Sequence, residues 1–207
     1  MAGLSFEARE GARSLWVAYG GYAVAALSVA AAGGFAAVHA NAFSAVVVAA
    51  TVTLAAAFFV SPRVHALARE MGPWGLAALH VWRIPAGLAF LHAGQAGALP
   101  PLFATLAGWG DVLAGTLAMA VVAWPGSRRL LVSFHWVGLA DFLVAVGTGI
   151  ALTQTDPSAM HAITLLPLAV IPLLGVPISG ASHVWALTLL REGGGYRQSF
   201  RTLRNAR

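Results

Sequence analysis

Long apolar stretches recur six times along the chain, near 14–36, 42–60, 73–93, 102–124, 130–153 and 162–190, with short polar segments between them. Crossing a hydrocarbon core of about 30 Å takes roughly 20 apolar residues in a helix, the conformation that satisfies every backbone N–H and C=O internally. The pattern therefore predicts an all-α, polytopic bundle of six spans over residues 1–190 and a separate basic tail over 191–207. Composition agrees, because 59% hydrophobic against 9% charged residues is too apolar for a water-soluble domain of 207 residues.

Polar residues set the expected orientation. There is no lysine, and eleven of the twelve basic residues, all arginines, lie outside the apolar runs. Arg9 and Arg13 precede the first span, Arg63 and Arg69 follow the second, Arg128 and Arg129 follow the fourth, and Arg191, Arg197, Arg201, Arg204 and Arg207 follow the sixth. The alternate loops, 37–41, 94–101 and 154–161, hold no arginine. Since cytoplasmic loops collect basic residues, both termini are expected in the cytoplasm. The net charge of +5 is dispersed over those four segments, which argues against nucleic acid as a partner. Without cysteine there are no disulfides and no thiolate chemistry. The first apolar run is longer than a signal sequence needs and is read as a retained helix.

Past Gly193, Gly194 and Gly195, the tail spaces Tyr196, Phe200 and Leu203 at helical intervals among its arginines. Such a segment suits the anionic lipids of the inner leaflet. Spans one and two carry no ionisable residue in their middles and read as packing or lipid-facing helices. Chemistry is expected in spans three to six.

Arg83 is the one arginine inside an apolar run. On a continuous third helix, His80, Arg83, Gly87 and Phe90 share a face, and Pro85 frees the carbonyl of Val81 as a local acceptor. Burying an arginine at mid-membrane costs about 2.5–3.5 kcal/mol on insertion scales, so it should face the bundle interior and be paired. Asp111, on the narrow stripe Gly108, Asp111, Gly115 and Ala118, and Asp141, flanked by Gly138, Ala145 and Thr148, are the expected partners. Small residues on these stripes let helices approach closely. One cation facing two carboxylates leaves a charge mismatch, so one aspartate should hold a proton unless a histidine is protonated or a cation bound.

In the sixth span Pro167, Pro172 and Pro177 recur every five residues, freeing the carbonyls of Ile163, Leu168 and Leu173 and bending the helix. Ser179 and His183 lie on one face below the bend, so the serine is expected either to cap the histidine or to join it in a site. The chain resembles a group of small, uncharacterised bacterial integral membrane proteins. The resemblance covers residues 80 to 190, through Arg83 and Phe90, Ala107-Gly108-Trp109-Gly110-Asp111, Gly138 with Asp141, and Leu166-Pro167, Ile171-Pro172, Val176-Pro177 and His183. It implies that these positions form one unit and brings no established activity.

Three functions follow. The first is a conjoined core of Arg83, Asp111, Asp141 and His183, with Ser179 and His80 beside it, binding or passing a proton or small polar solute. No internal repeat is evident, so alternating access would need a homo-oligomer or a larger membrane complex. The second is a haem or metal protein using His80, His135 and His183 in an inner layer, with His39, His92 and His161 near the outer boundary. Helical phasing turns His135 about 120° from Asp141, which weakens a single tight metal cluster. The third is an accessory subunit whose ion pairs fix helix register, in a core packed shut around them. An intramembrane hydrolase is the remaining reading; Ser179 and His183 lie too far along a single helix to act as nucleophile and base without a partner from elsewhere, so the balance leans against an enzyme without settling it.

Overall fold

The computed structural model describes residues 4–37 and 40–193; His39 and the tail with Tyr196, Phe200 and Leu203 lie outside the described residues. The described chain is helical, with eight α-helices: α1 (Phe6–Ala31), α2 (Gly34–Ala37), α3 (Ala40–Val60), α4 (Pro62–Ala78), α5 (Arg83–Gln95), α6 (Pro101–Ala123), α7 (Arg128–Thr155) and α8 (Val176–Arg191). Five helical segments are long and apolar enough to cross a membrane, and α4 with α5, bent by 43° at their junction, makes a sixth when taken as one span.

Local sequence explains where the helices start. Ser5, Ser61 and Ser127 accept hydrogen bonds from Ala8, Val64 and Leu130 N–H, satisfying amides that a helix start leaves unpaired. Pro62 and Pro101 occupy first-turn positions, where a missing N–H costs nothing. The expected boundaries of spans two, four and five fall within about two residues of α3, α6 and α7.

The first span begins earlier than expected, at Phe6, and breaks before α2. The third is not the continuous helix 73–93. Gly72 takes φ 64°, a kink that only glycine adopts at little cost, and the chain breaks again between Ala78 and Arg83. Arg83 therefore opens α5 and His80 lies in the break. The sixth span is not one bent helix over 162–190 either. A 3-10 turn, His161–Thr164, leads through irregular chain to a π-helical turn, Ile171–Gly175, and only then to α8.

Two apolar clusters mark the bundle's ends. Trp74, Val121, Leu131 and Leu190 gather the end of α6, the start of α7 and the end of α8. Phe35, Phe43, Leu99, Phe103, Met160 and Ile163 gather the arginine-free loops. Between them lies the middle of the bundle, where the buried polar residues sit.

Candidate functional site

Arg83 enters the bundle interior because its helix starts there. Its side chain is 3% exposed. Nε donates to Asp111 Oδ1 on α6 at 2.6 Å, and Nη2 donates to Asp141 Oδ2 on α7. Both are charge-assisted bonds, the stronger kind in a medium of low dielectric. The acids are almost as well covered, their side chains 11% and 13% exposed. The carbonyl of Val81 is not an acceptor for the guanidinium, contrary to expectation: the N–H of Ile84 takes it at 3.3 Å.

Every position of Gly108-Trp109-Gly110-Asp111 has a reason in this geometry. A side chain on Gly108 would press on Leu91, 2.7 Å from its Cγ. Trp109 points outward, 61% exposed. Gly110 is the seat of Asp141: a methyl group there would overlap Oδ1 and lie 2.7 Å from Cγ. Gly87 on α5 lets Asp111 approach, since a Cβ would come within 2.9 Å of the Asp111 Cβ. The small-residue stripe of α6 thus serves α5, and its glycines bring the three charged groups into contact.

A second cluster lies beside the first. The rings of His80 and His183 stack with centroids 4.0 Å apart, and His135 meets His183 at 5.4 Å and His80 at 6.4 Å. All three are fully buried. These are the three histidines expected in one inner layer; the break at His80 and the bare surface of Gly138, where a Cβ would strike the His183 ring, bring their rings into contact. The carbonyl of Pro73 can only accept, so His135 Nε2–H donates to it at 3.0 Å. His135 Nδ1 then accepts from His183 Nδ1–H at 3.1 Å. Ser182 donates to the carbonyl of Ile178 at 2.7 Å and accepts from His80 Nε2–H at 2.9 Å. Neutral imidazoles satisfy all these bonds, leaving the lone pairs of His80 Nδ1 and His183 Nε2 without a partner.

No hydrogen bond joins His183 to Arg83 or to either aspartate among the described residues, so the expected conjoined core is two neighbouring clusters. His80 faces the histidines and not Arg83's partners. Ser179 does not cap His183; its hydroxyl is buried without a partner. Among the described residues no group of three or more His, Asp or Glu side chains has an arrangement that could hold a metal ion. His92 and His161 lie on α5 and the 3-10 turn, away from these clusters.

Three participants escaped the sequence reading. Ser182, one turn from Ser179, is a hydroxyl partner of His80, not of His183. Tyr22 on α1 donates at 2.8 Å to the Leu173 carbonyl, the one that Pro177 frees, and Tyr19 donates to the next, on Leu174. Helix α1 is therefore more than a bland packing helix. The freed carbonyl was legible; its partner, a tyrosine about 150 residues away, was not.

A cleft with about 80 Å³ of free interior space, or about 740 Å³ when everything up to its open side is counted, runs to Arg83, Asp111 and Ser179. Its walls come from α3, α5, α6, α7, the 3-10 and π-helical turns and the start of α8, and are mostly apolar, with Phe43, Phe90, Phe103 and Phe142 prominent. Arg83 Nη1, like the Ser179 hydroxyl, is buried without a hydrogen-bond partner. Unsatisfied buried donors are rare enough to call for an explanation, and two of them line one cleft.

Residues 40–191 match the model of a family described as a domain of unknown function, DUF8737, and the chain belongs to that family. The match begins at α3, omits α1 and takes in both buried clusters and the whole cleft lining. No curated protein and no solved structure matches the chain.

Proposed function

We propose that this is a six-span protein of the bacterial inner membrane, both termini cytoplasmic, that holds an exchangeable proton in its Arg83–Asp111–Asp141 core and binds a solute in the adjoining cleft. The observation that carries this reading is the direct contact of one buried guanidinium with two buried carboxylates at the end of that cleft. With both acids ionised the group carries one excess negative charge in low dielectric, which a proton on one carboxyl removes. The neutral bonding pattern of the histidines needs no further proton, so the carboxyl pair is where it resides.

The position of the arginines supports the topology. The arginine-bearing ends of α6, α7 and α8 gather at one end of the bundle, and the arginine-free loops at the other. An ion-pair network serving only helix register would be packed shut around its side chains. The cleft at Arg83, Asp111 and Ser179 favours binding over that reading. Aspartates in proton-linked sites exchange with one side of the membrane or both. The test is dye-reported proton movement in proteoliposomes under an imposed pH gradient. Wild-type uptake above empty vesicles, lost in Asp111→Asn and Asp141→Asn, supports passage of the proton; uptake unchanged in both variants contradicts it.

A further inference from the structure

The cleft has a polar end and an apolar length, and the two together specify a ligand. At the polar end, Arg83 Nη1 and Ser179 Oγ are buried and unpartnered beside Asp111. Along the length the lining is aromatic and aliphatic, from Phe90 and Phe103 to Val47 and Ile163. Val48 is exposed and Val146 and Ile150 are half-buried, so the open side lies between α3 and α7, on the flank of the bundle and not at its ends. In a bilayer that flank faces lipid.

Charge and donor chemistry select the head group. Nη1 can only donate, so the head must accept, which excludes an ammonium. With one carboxyl protonated the Arg83–Asp111–Asp141 core is already neutral, and an anionic head would restore an excess negative charge in low dielectric. A charged head would also have to be stripped of water at a site where Arg83 and Ser179 are each 3% exposed. A neutral carbonyl oxygen meets every condition. It accepts from Nη1 and from the serine hydroxyl, and its apolar body replaces lipid contacts with the cleft walls.

We infer that the cleft binds a neutral amphiphile with a carbonyl head and a long apolar body, entering sideways between α3 and α7 and docking its oxygen on Arg83 Nη1 and Ser179 Oγ. The inference rests on the cleft being a binding site and adds the class of ligand. Two molecules supply this chemistry, a quinone ring on an isoprenoid tail and an uncharged acyl lipid.

The test uses the full chain in nanodiscs of ether-linked lipid, which offers no acyl carbonyl to compete. Equilibrium binding of radiolabelled decylubiquinone and of radiolabelled monoolein is measured separately. Saturable binding of either is expected, and which one saturates identifies the source. Ser179→Ala, which loses one hydrogen bond to the head, should weaken binding about 5- to 10-fold. It should leave the melting temperature unchanged or higher, because the lost hydroxyl has no partner in the empty site. Val146→Trp, which fills the cleft, should abolish saturable binding; if that variant fails to fold, Ser179→Ala decides alone. Absence of saturation by both probes, or wild-type affinity in Ser179→Ala, overturns the inference. An infrared search for a protonated carboxyl in the same unliganded nanodiscs tests the proton reading separately, so either can fail without the other.

Discussion

Gly110→Ala adds one methyl group, and its effect follows from where that group must go. In an ordinary helix interior, alanine is favoured over glycine by about 0.8–1 kcal/mol. At Gly110 the new Cβ would occupy the place of Asp141 Oδ1 and lie 2.7 Å from its Cγ. The carboxylate must leave, which breaks its bond to Arg83 Nη2. Separating one partner from a buried ion pair costs about 3–5 kcal/mol, and after the helix gain the net loss should be about 2–4 kcal/mol. Equilibrium unfolding in mixed micelles, followed by circular dichroism, reads this directly. In an Asp141→Ala background the obstruction is gone, so the same Gly110→Ala change should become neutral or stabilising by up to about 1 kcal/mol. Gly20→Ala, at a site with nothing within 4 Å of a new Cβ, serves as the reference for helix gain. Equal destabilisation by Gly110→Ala with and without Asp141 would show that Gly110 is not the seat of that carboxylate, as would wild-type stability of the single variant.

Three further outcomes are expected. Tyr22→Phe should cost about 0.5–1.5 kcal/mol by orphaning the Leu173 carbonyl, and less in a Pro177→Ala background, where a backbone N–H is restored; equal costs in the same micelle assay would contradict the role of the hydroxyl. Gly138→Ala should destabilise by at least about 1–3 kcal/mol, because the His183 ring occupies that space. It should also alter the imidazole nitrogen resonances of His135, whose Nδ1 bonds to that ring, and unchanged resonances would count against the histidine cluster.

The long helices were legible because hydropathy and length suffice for α3, α6 and α7, where no proline or left-handed glycine interrupts the run. The interruptions were harder to place. Residues 79–82 are as apolar around His80 as a continuous span would be, so nothing in hydropathy marks the break that puts Arg83 at a helix start. Prolines forecast the disturbance before α8 but not its form, which depends on what the freed carbonyls find. Charge parsimony joined Arg83 to Asp111 and Asp141, because each needs an opposite charge at that depth. The same logic says nothing about neutral imidazoles. Depth along the spans placed His80, His135 and His183 in one layer, but helical phasing gives direction within one helix and cannot tell which neighbour it meets, so their ring contacts, and the contribution of Ser182, emerge only from the packed bundle.

Glycines tie these observations together. Gly87, Gly108 and Gly110 bring α5, α6 and α7 close enough for the ion contacts, while Gly138 makes room for the histidine ring. The arrangement leaves Arg83 Nη1 and Ser179 Oγ buried without a hydrogen-bond partner, on residues that line the cleft. The buried charged and imidazole groups thus lie between residues 80 and 183, with α3 closing the cleft and α1 holding the π-helical turn through its tyrosines.

The most direct measurement is an infrared spectrum of the protein in nanodiscs of ether-linked lipid at neutral pH, in the region of a protonated carboxylic acid. The other five acidic residues all lie outside the buried core, so a buried acid band belongs to Asp111 or Asp141. A band is expected in the wild type that shifts in heavy water and disappears in both Asp111→Asn and Asp141→Asn, since either change leaves one carboxylate matched to one guanidinium. A wild type without the band, or a band that survives in both variants, would contradict the claim that the core holds a proton.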